Sequence, residues 1–245
     1  MDAPEKFGPR FDRLETRREH KDQPICELEW LDVVRQGRSR AVLWEAKQGF
    51  IAPLSYRRHE RFDAVCAQFA ERGWPVRLRR SGGGVVPQGP GILNLSLVYP
   101  VGDRLSFCAD QVYRHLCNVL SRSLAQLGIA TQPATVTGSF CDGRFNLAVA
   151  SIHGLRKIVG TAQYWRRVGT QYAVLAHALV LVAADMDLLT RQCNEFESAL
   201  GSGRQYDANT LTSVARSWSD AHSGEVFPAD LSIDLSRRIA AALNQ

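Results

Sequence analysis

The chain has 245 residues, 45% of them hydrophobic, enough to bury a sizeable core in one large domain, so disorder is not the default reading. No apolar run approaches the roughly 20 residues of a membrane-spanning helix, and Met1 to Gln23 is charged rather than signal-like, so a cytoplasmic location without membrane contact is expected. The formal charge of +5 suits several anionic partners, but the arginines at 35–40, 57–61, 77–80 and 166–167 come without a zinc finger, an RNA-recognition signature or a long basic helix, which makes nucleic acid an unlikely partner.

In chain order, residues 1–25 are rich in charge and proline and read as a loosely ordered arm to which no chemistry is assigned; residues 26–245 read as one domain. Ala41–Ala46 is a short apolar run fit for a strand. An arginine-rich helix is expected over Tyr56–Arg72, stopped by Gly73, followed by a strand over Trp74–Leu78 and another over Ile92–Tyr99. Asp103–Leu127 carries Val112, Leu116, Val119, Leu120, Leu124 and Leu127 at the spacing of one buried helix face, with Gly128 as its stop. Short strands around Ala148–Val149 and Lys157–Val159 suggest a hairpin turning at His153 and Gly154. Ala173–Val182 fits either a buried strand or a helix, and three stretches, Leu188–Leu200, Leu211–Trp218 and Leu231–Leu243, look helical. The whole is α+β without an internal repeat.

The six cysteines, Cys26, Cys66, Cys108, Cys117, Cys141 and Cys193, form no CxxC pair and no zinc-like cluster, so they are expected reduced and mostly structural, and no metal site is assigned. His153 and His177 are lone histidines for which a solvent-facing or internally satisfied role is favoured.

Between the strands ending at Leu78 and beginning at Ile92 lies Arg79-Arg80-Ser81-Gly82-Gly83-Gly84, followed closely by Pro87, Gln88, Gly89, Pro90 and Gly91. Glycines let backbone approach a ligand, their N–H groups can meet an anion, and arginines add charge; a strained hairpin would use the same residues. The segment is neither a P-loop nor a dinucleotide fingerprint.

The RRSGGG turn followed by a strand containing Asn-Leu-Ser resembles the signature of lipoate protein ligases, within the superfamily that also holds biotin ligases and octanoyltransferases. Gln88 and Gly89 stand where the ligases carry a His-Asp pair, and Gln88-Gly89-Pro90-Gly91 is similar to the HGPG of octanoyltransferases with glutamine for histidine. A second stretch, Arg156-Lys157-Ile158-Val159-Gly160-Thr161-Ala162-Gln163, is similar to the GRKIxGTAQ strand of lipoate ligases.

The resemblance implies a mixed, largely antiparallel sheet flanked by helices, of the biotin/lipoate ligase catalytic-domain type. It implies that Lys157 is catalytic, reaching an acyl carbonyl and a phosphate, as suits a mobile ammonium near developing negative charge. Arg79, Ser81, Gly82, Gly83, Gly84, Gln88, Asn146, Gly160, Thr161 and Gln163 would then hold acid and adenylate. The expected reaction is ligation of lipoate or octanoate, with ATP and Mg²⁺, to a lysine of a lipoyl carrier domain. Carrier-to-carrier transfer without ATP is the alternative, and a non-catalytic acyl- or carrier-binding protein is a third possibility. Some relatives pass the acyl group through a cysteine thioester, which makes Cys141 a candidate nucleophile against the plainer reading as a small loop residue.

Overall fold

The computed structural model describes residues 9–18, 26–101, 105–225 and 230–243. Its strands are β1 (Leu14–Arg18), β2 (Arg40–Glu45), β3 (Gly49–Pro53), β4 (Val76–Arg79), β5 (Val86–Gln88), β6 (Ile92–Val101), β7 (Gln132–Ala134), β8 (Asn146–Ser151), β9 (Gly154–Val168) and β10 (Gln171–Leu181). The α-helices are α1 (Phe62–Glu71), α2 (Leu105–Ala125), α3 (Met186–Leu200), α4 (Val214–Ala221) and α5 (Leu231–Leu243), and a 3₁₀ helix spans Glu27–Gln36.

Seven strands make the main sheet in the order β1-β2-β6-β10-β9-β8-β7, antiparallel except for the β1–β2 pair. This is the expected α+β class with a largely antiparallel sheet. The central strands β6 and β10 are almost wholly buried, being covered on both faces, and this settles Ala173–Val182 as strand. One face packs on α2 and α5, where the predicted stripe of Val112, Leu116, Val119, Leu120, Leu124 and Leu127 is buried in full. The other face carries the 3₁₀ helix and a second sheet of three strands, β4-β3-β5, backed by α1 and α3.

Several expectations need correction. Within the segment read as a loose arm, Leu14–Arg18 extends the main sheet as its edge strand and Phe11 is buried edge-on against Tyr99; Arg40 fixes the junction through two bonds to Glu15, at 2.9 and 2.8 Å. The helix anticipated from Tyr56 begins only at Phe62, because Tyr56 lies in a separate 3₁₀ turn, Leu54–Arg58, and faces the core. Trp74 precedes β4 instead of joining it, stacking on Phe50 with ring centroids 4.9 Å apart. The strand β5 between the glycine turn and Ile92 was not anticipated. The helix start at Asp103 and the side chain of Cys108 lie outside the described residues; the other five cysteines are free thiols. Among the described residues no helix is long and apolar enough to cross a membrane.

Candidate functional site

The turn after β4 is shaped by Arg79. Its guanidinium donates to the carbonyls of Ile51 at 2.7 Å, Gly82 at 2.8 Å and Gly84 at 2.7 Å, so this arginine braces the glycine turn from within. The charge left to face a ligand is that of Arg80, which is exposed and lines the adjacent cavity with Ser81. Behind the turn, the buried Glu197 of α3 accepts hydrogen bonds from the Tyr56 and Tyr206 hydroxyls, at 2.6 and 2.8 Å, and Tyr56 in turn accepts from the Val85 N–H at 3.2 Å. Burial and this carboxylate push both phenols upward. A Cβ on Gly84 would run into the Tyr206 hydroxyl. Nothing local in sequence marks these two tyrosines.

Gly83 joins the two signatures. It has φ of +102°, in the region that favours glycine, and a Cβ there would lie 2.5 Å from the Cys141 sulfur. Cys141 itself has φ of +52°, rare for a residue with a side chain. Its carbonyl accepts from Asn146 Nδ2 at 2.7 Å and from Lys157 Nζ at 2.9 Å, and Nζ also donates to the Phe140 carbonyl.

Lys157 comes from β9 just before a bulge: Leu147 pairs with Val159 while the next residue, Ala148, pairs with Lys157, leaving Ile158 extra. Its side chain folds over Gly160, where a Cβ would come within 3.2 Å of both Cε and Nζ. Glycine at 160 therefore makes room for the lysine. Burial lowers the Lys157 pKa to about 8, with Cys141 and Asp142 pulling the other way and Arg79 adding to the fall.

The remaining expected residues divide between lining and support. Asn146 is buried, with its amide committed to the Cys141 carbonyl and to the Thr161 N–H at 3.1 Å, so it supports the cysteine and β9 and does not face the cavity. Thr161 and Gln163 line the cavity while bonding to the Phe145 and Ala109 carbonyls, at 2.8 and 3.2 Å. Gln88 pairs its buried amide reciprocally with Asn94, at 3.0 and 2.9 Å, and presents its edge to the cavity. Gly82 is exposed, with open space where a Cβ would stand, and lines no cavity.

The cavity, about 390 Å³, lies between the main sheet and the small one. Its walls are mostly apolar, from Trp44, Ile51, Leu78, Leu175, Leu179 and Leu181, and Ser81, Cys141 and Lys157 line it as well. His177 lines it on β10, with Nδ1 bonded to Glu27 at 2.8 Å, so the internally satisfied role favoured for this histidine holds for one ring nitrogen; His153 sits exposed in the β8–β9 turn.

The cavity is thus an apolar chamber whose lining also includes a thiol and a buried amine. Residues 54–218 match the family model of the lipoyl protein ligase A/B catalytic domain, so the chain belongs to that family of acyl ligases and acyltransferases. It is 49% identical over 196 residues to an uncharacterized protein of Cupriavidus necator, covering 77% of this chain and 78% of that one. It is 34% identical over 178 residues to an octanoyl-[GcvH]:protein N-octanoyltransferase of Kyrpidia tusciae, covering 70% of this chain and 56% of the relative, so it spans little more than half of that enzyme's length. By fold it is similar to lipoate-protein ligase A bound with ATP, with a TM-score of 0.62, 18% identity, and coverage of 95% and 85% of the two chains. A bipartite lipoate protein ligase of Thermoplasma acidophilum, solved with its E2 lipoyl domain, gives a TM-score of 0.57 at 19% identity, with coverage of 96% and 84%.

Proposed function

We propose that this chain transfers an octanoyl- or lipoyl-type acyl group between carrier proteins through a thioester on Cys141. The observation that carries the reading is the Cys141 sulfur packed on the Gly83 turn in the lining of the apolar cavity, with the Lys157 amine held on the same residue's carbonyl. The likeness to an N-octanoyltransferase supports it.

In the first half-reaction the Cys141 sulfur attacks the carbonyl of an acyl donor, forming the new C–S bond, and the donor's leaving group departs with a proton. Lys157, with a pKa of about 8, is partly neutral near pH 8 and suits the transfer of the proton from the thiol to that leaving group. In its charged form it faces the oxyanion of the tetrahedral intermediate. In the second half-reaction a carrier-domain lysine attacks the thioester as a neutral amine, the amide forms, and sulfur leaves with the proton that the nitrogen gives up. Asn146, bonded to the Cys141 carbonyl and the Thr161 N–H, holds the unusual backbone at the nucleophile.

A second reading, ligation of the free acid, is favoured by Arg80 and Ser81 at the cavity. They are the residues free to meet a phosphate, since Arg79 and Asn146 are turned to their own backbone. ATP with Mg²⁺ would supply activation of the carboxyl in that case.

Intact mass of a lipoyl carrier domain, incubated with octanoylated carrier or with octanoate and Mg-ATP, separates the two. Modification from the acylated carrier, lost in Cys141→Ser and accompanied by an acyl adduct on the wild-type chain, is the expected result. Modification only from acid and ATP, undiminished in Cys141→Ser, would sink the thioester route. No modification in either arm would favour a protein that binds an acyl chain or a carrier without catalysis.

A further inference from the structure

The stretch of cavity bounded by Trp44, Leu175 and His177 is not uniformly apolar. His177 donates or accepts through Nδ1 to Glu27 at 2.8 Å, Ser96 donates to the same Glu27 oxygen, and Trp44 Nε1 donates to Ser96 at 2.9 Å. Burial works to raise the Glu27 carboxyl, but His177, Ser96 and Arg77 more than offset it, and it is held below the usual carboxylate range. With Nδ1 engaged by the Glu27 carboxylate, Nε2 is the ring nitrogen left to meet a ligand. Among the described residues no protein group bonds Nε2, and the ring lines the cavity.

The position of this network along the cavity is fixed by the strand register. Leu179 of β10 lies opposite Gly160, over which Lys157 folds, and His177 lies opposite Ala162, two residues and so about 7 Å farther along the strand. A chain whose carbonyl sits at Cys141 and Lys157, and which follows β10 in this direction, passes Leu179 and reaches the imidazole. A plain hydrocarbon end gives that ring nothing, and a polar atom facing an apolar end is left without water or partner.

We propose that His177, oriented by Glu27 and Ser96, gives this pocket, among medium-chain acyl groups, a preference for one that carries a hydroxyl at or near its far end. The hydroxyl, able to donate or accept, would hydrogen-bond to Nε2 while the chain fills the apolar walls. This rests on the cavity being an acyl site, as the proposed function holds, but not on Cys141 being the nucleophile.

Calorimetric titration of the full chain with 8-hydroxyoctanoate, octanoate and lipoate tests it without any chemistry at Cys141. The expected result is binding of 8-hydroxyoctanoate about tenfold tighter than octanoate, the worth of roughly one hydrogen bond in a dry site. His177→Leu should reverse the order by losing the hydroxy acid and tightening on octanoate, and Glu27→Gln, which weakens the bond that orients the ring, should reduce the preference with the fold kept. Octanoate or lipoate bound more tightly by the wild type, a preference that survives in His177→Leu, or no binding of the three acids would overturn the assignment. Transfer lost in Cys141→Ser with this preference intact, or transfer retained with no preference, shows which of the two readings stands.

Discussion

Lys157→Met offers a test of the buried amine that does not depend on substrate. In the folded chain this lysine has a pKa of about 8 against an ordinary 10.5, so between those values the unfolded chain binds a proton that the folded one does not. Stability contributed through this group therefore rises with pH across that window, and the cost of keeping it charged is full below pH 8. At about 1.4 kcal/mol per pH unit the gap amounts to about 3 kcal/mol. Replacement also leaves the Phe140 carbonyl without the amine, at about 1–3 kcal/mol, whereas the Cys141 carbonyl keeps Asn146. At pH 7 the two effects largely cancel and the variant should be near wild type in stability. By pH 10.5 the wild type should have gained about 3 kcal/mol relative to the variant. Urea unfolding of both proteins from pH 7 to pH 10.5 reads the difference, in which other titrating groups drop out. Parallel stability curves would refute the picture of a lysine held in a desolvated corner.

Gly83→Ala should lower the melting temperature, through about 1–3 kcal/mol of backbone strain, and should also suppress acyl transfer, because the new methyl must displace the Cys141 sulfur. A variant with wild-type melting and turnover would remove the glycine turn from the site. Tyr56→Phe should cost about 1–3 kcal/mol in urea unfolding, since the Val85 N–H and Glu197 both lose their bond to the hydroxyl.

Both halves of the site were legible in the sequence as motifs, because glycine density and the Arg-Lys-Ile-Val-Gly-Thr pattern are local. Their division of labour was not. Arg79 reads as charge for a ligand, yet its three acceptors include Ile51, a residue on the neighbouring strand. Gly160 reads as a place where the chain's own backbone approaches a ligand, whereas the space over it is taken by the Lys157 side chain, next to the bulge at Ile158. Cys141 looked marginal because its partners, Gly83 and Asn146, are defined by a turn with positive φ that no spacing rule announces. Glu197 did leave a sign: it falls on the buried stripe of α3 beside Cys193, Phe196 and Leu200, and a carboxylate on an apolar helix face asks for a buried partner. The edge strand β1 stayed hidden because Leu14–Arg18 is charged and only half buried, being covered on one side alone.

The order of the main sheet also bears on how the protein reaches this state. β6 is a ten-residue, almost fully buried strand whose two neighbours are β2, some 50 residues earlier, and β10, about 80 residues later. Until β10 has been made, one long apolar edge of β6 has nothing to pair with except another chain. Assembly of the cavity must therefore wait for nearly three-quarters of the polypeptide, and low protein concentration during synthesis or refolding should matter more to yield than it would for a helical bundle of similar size.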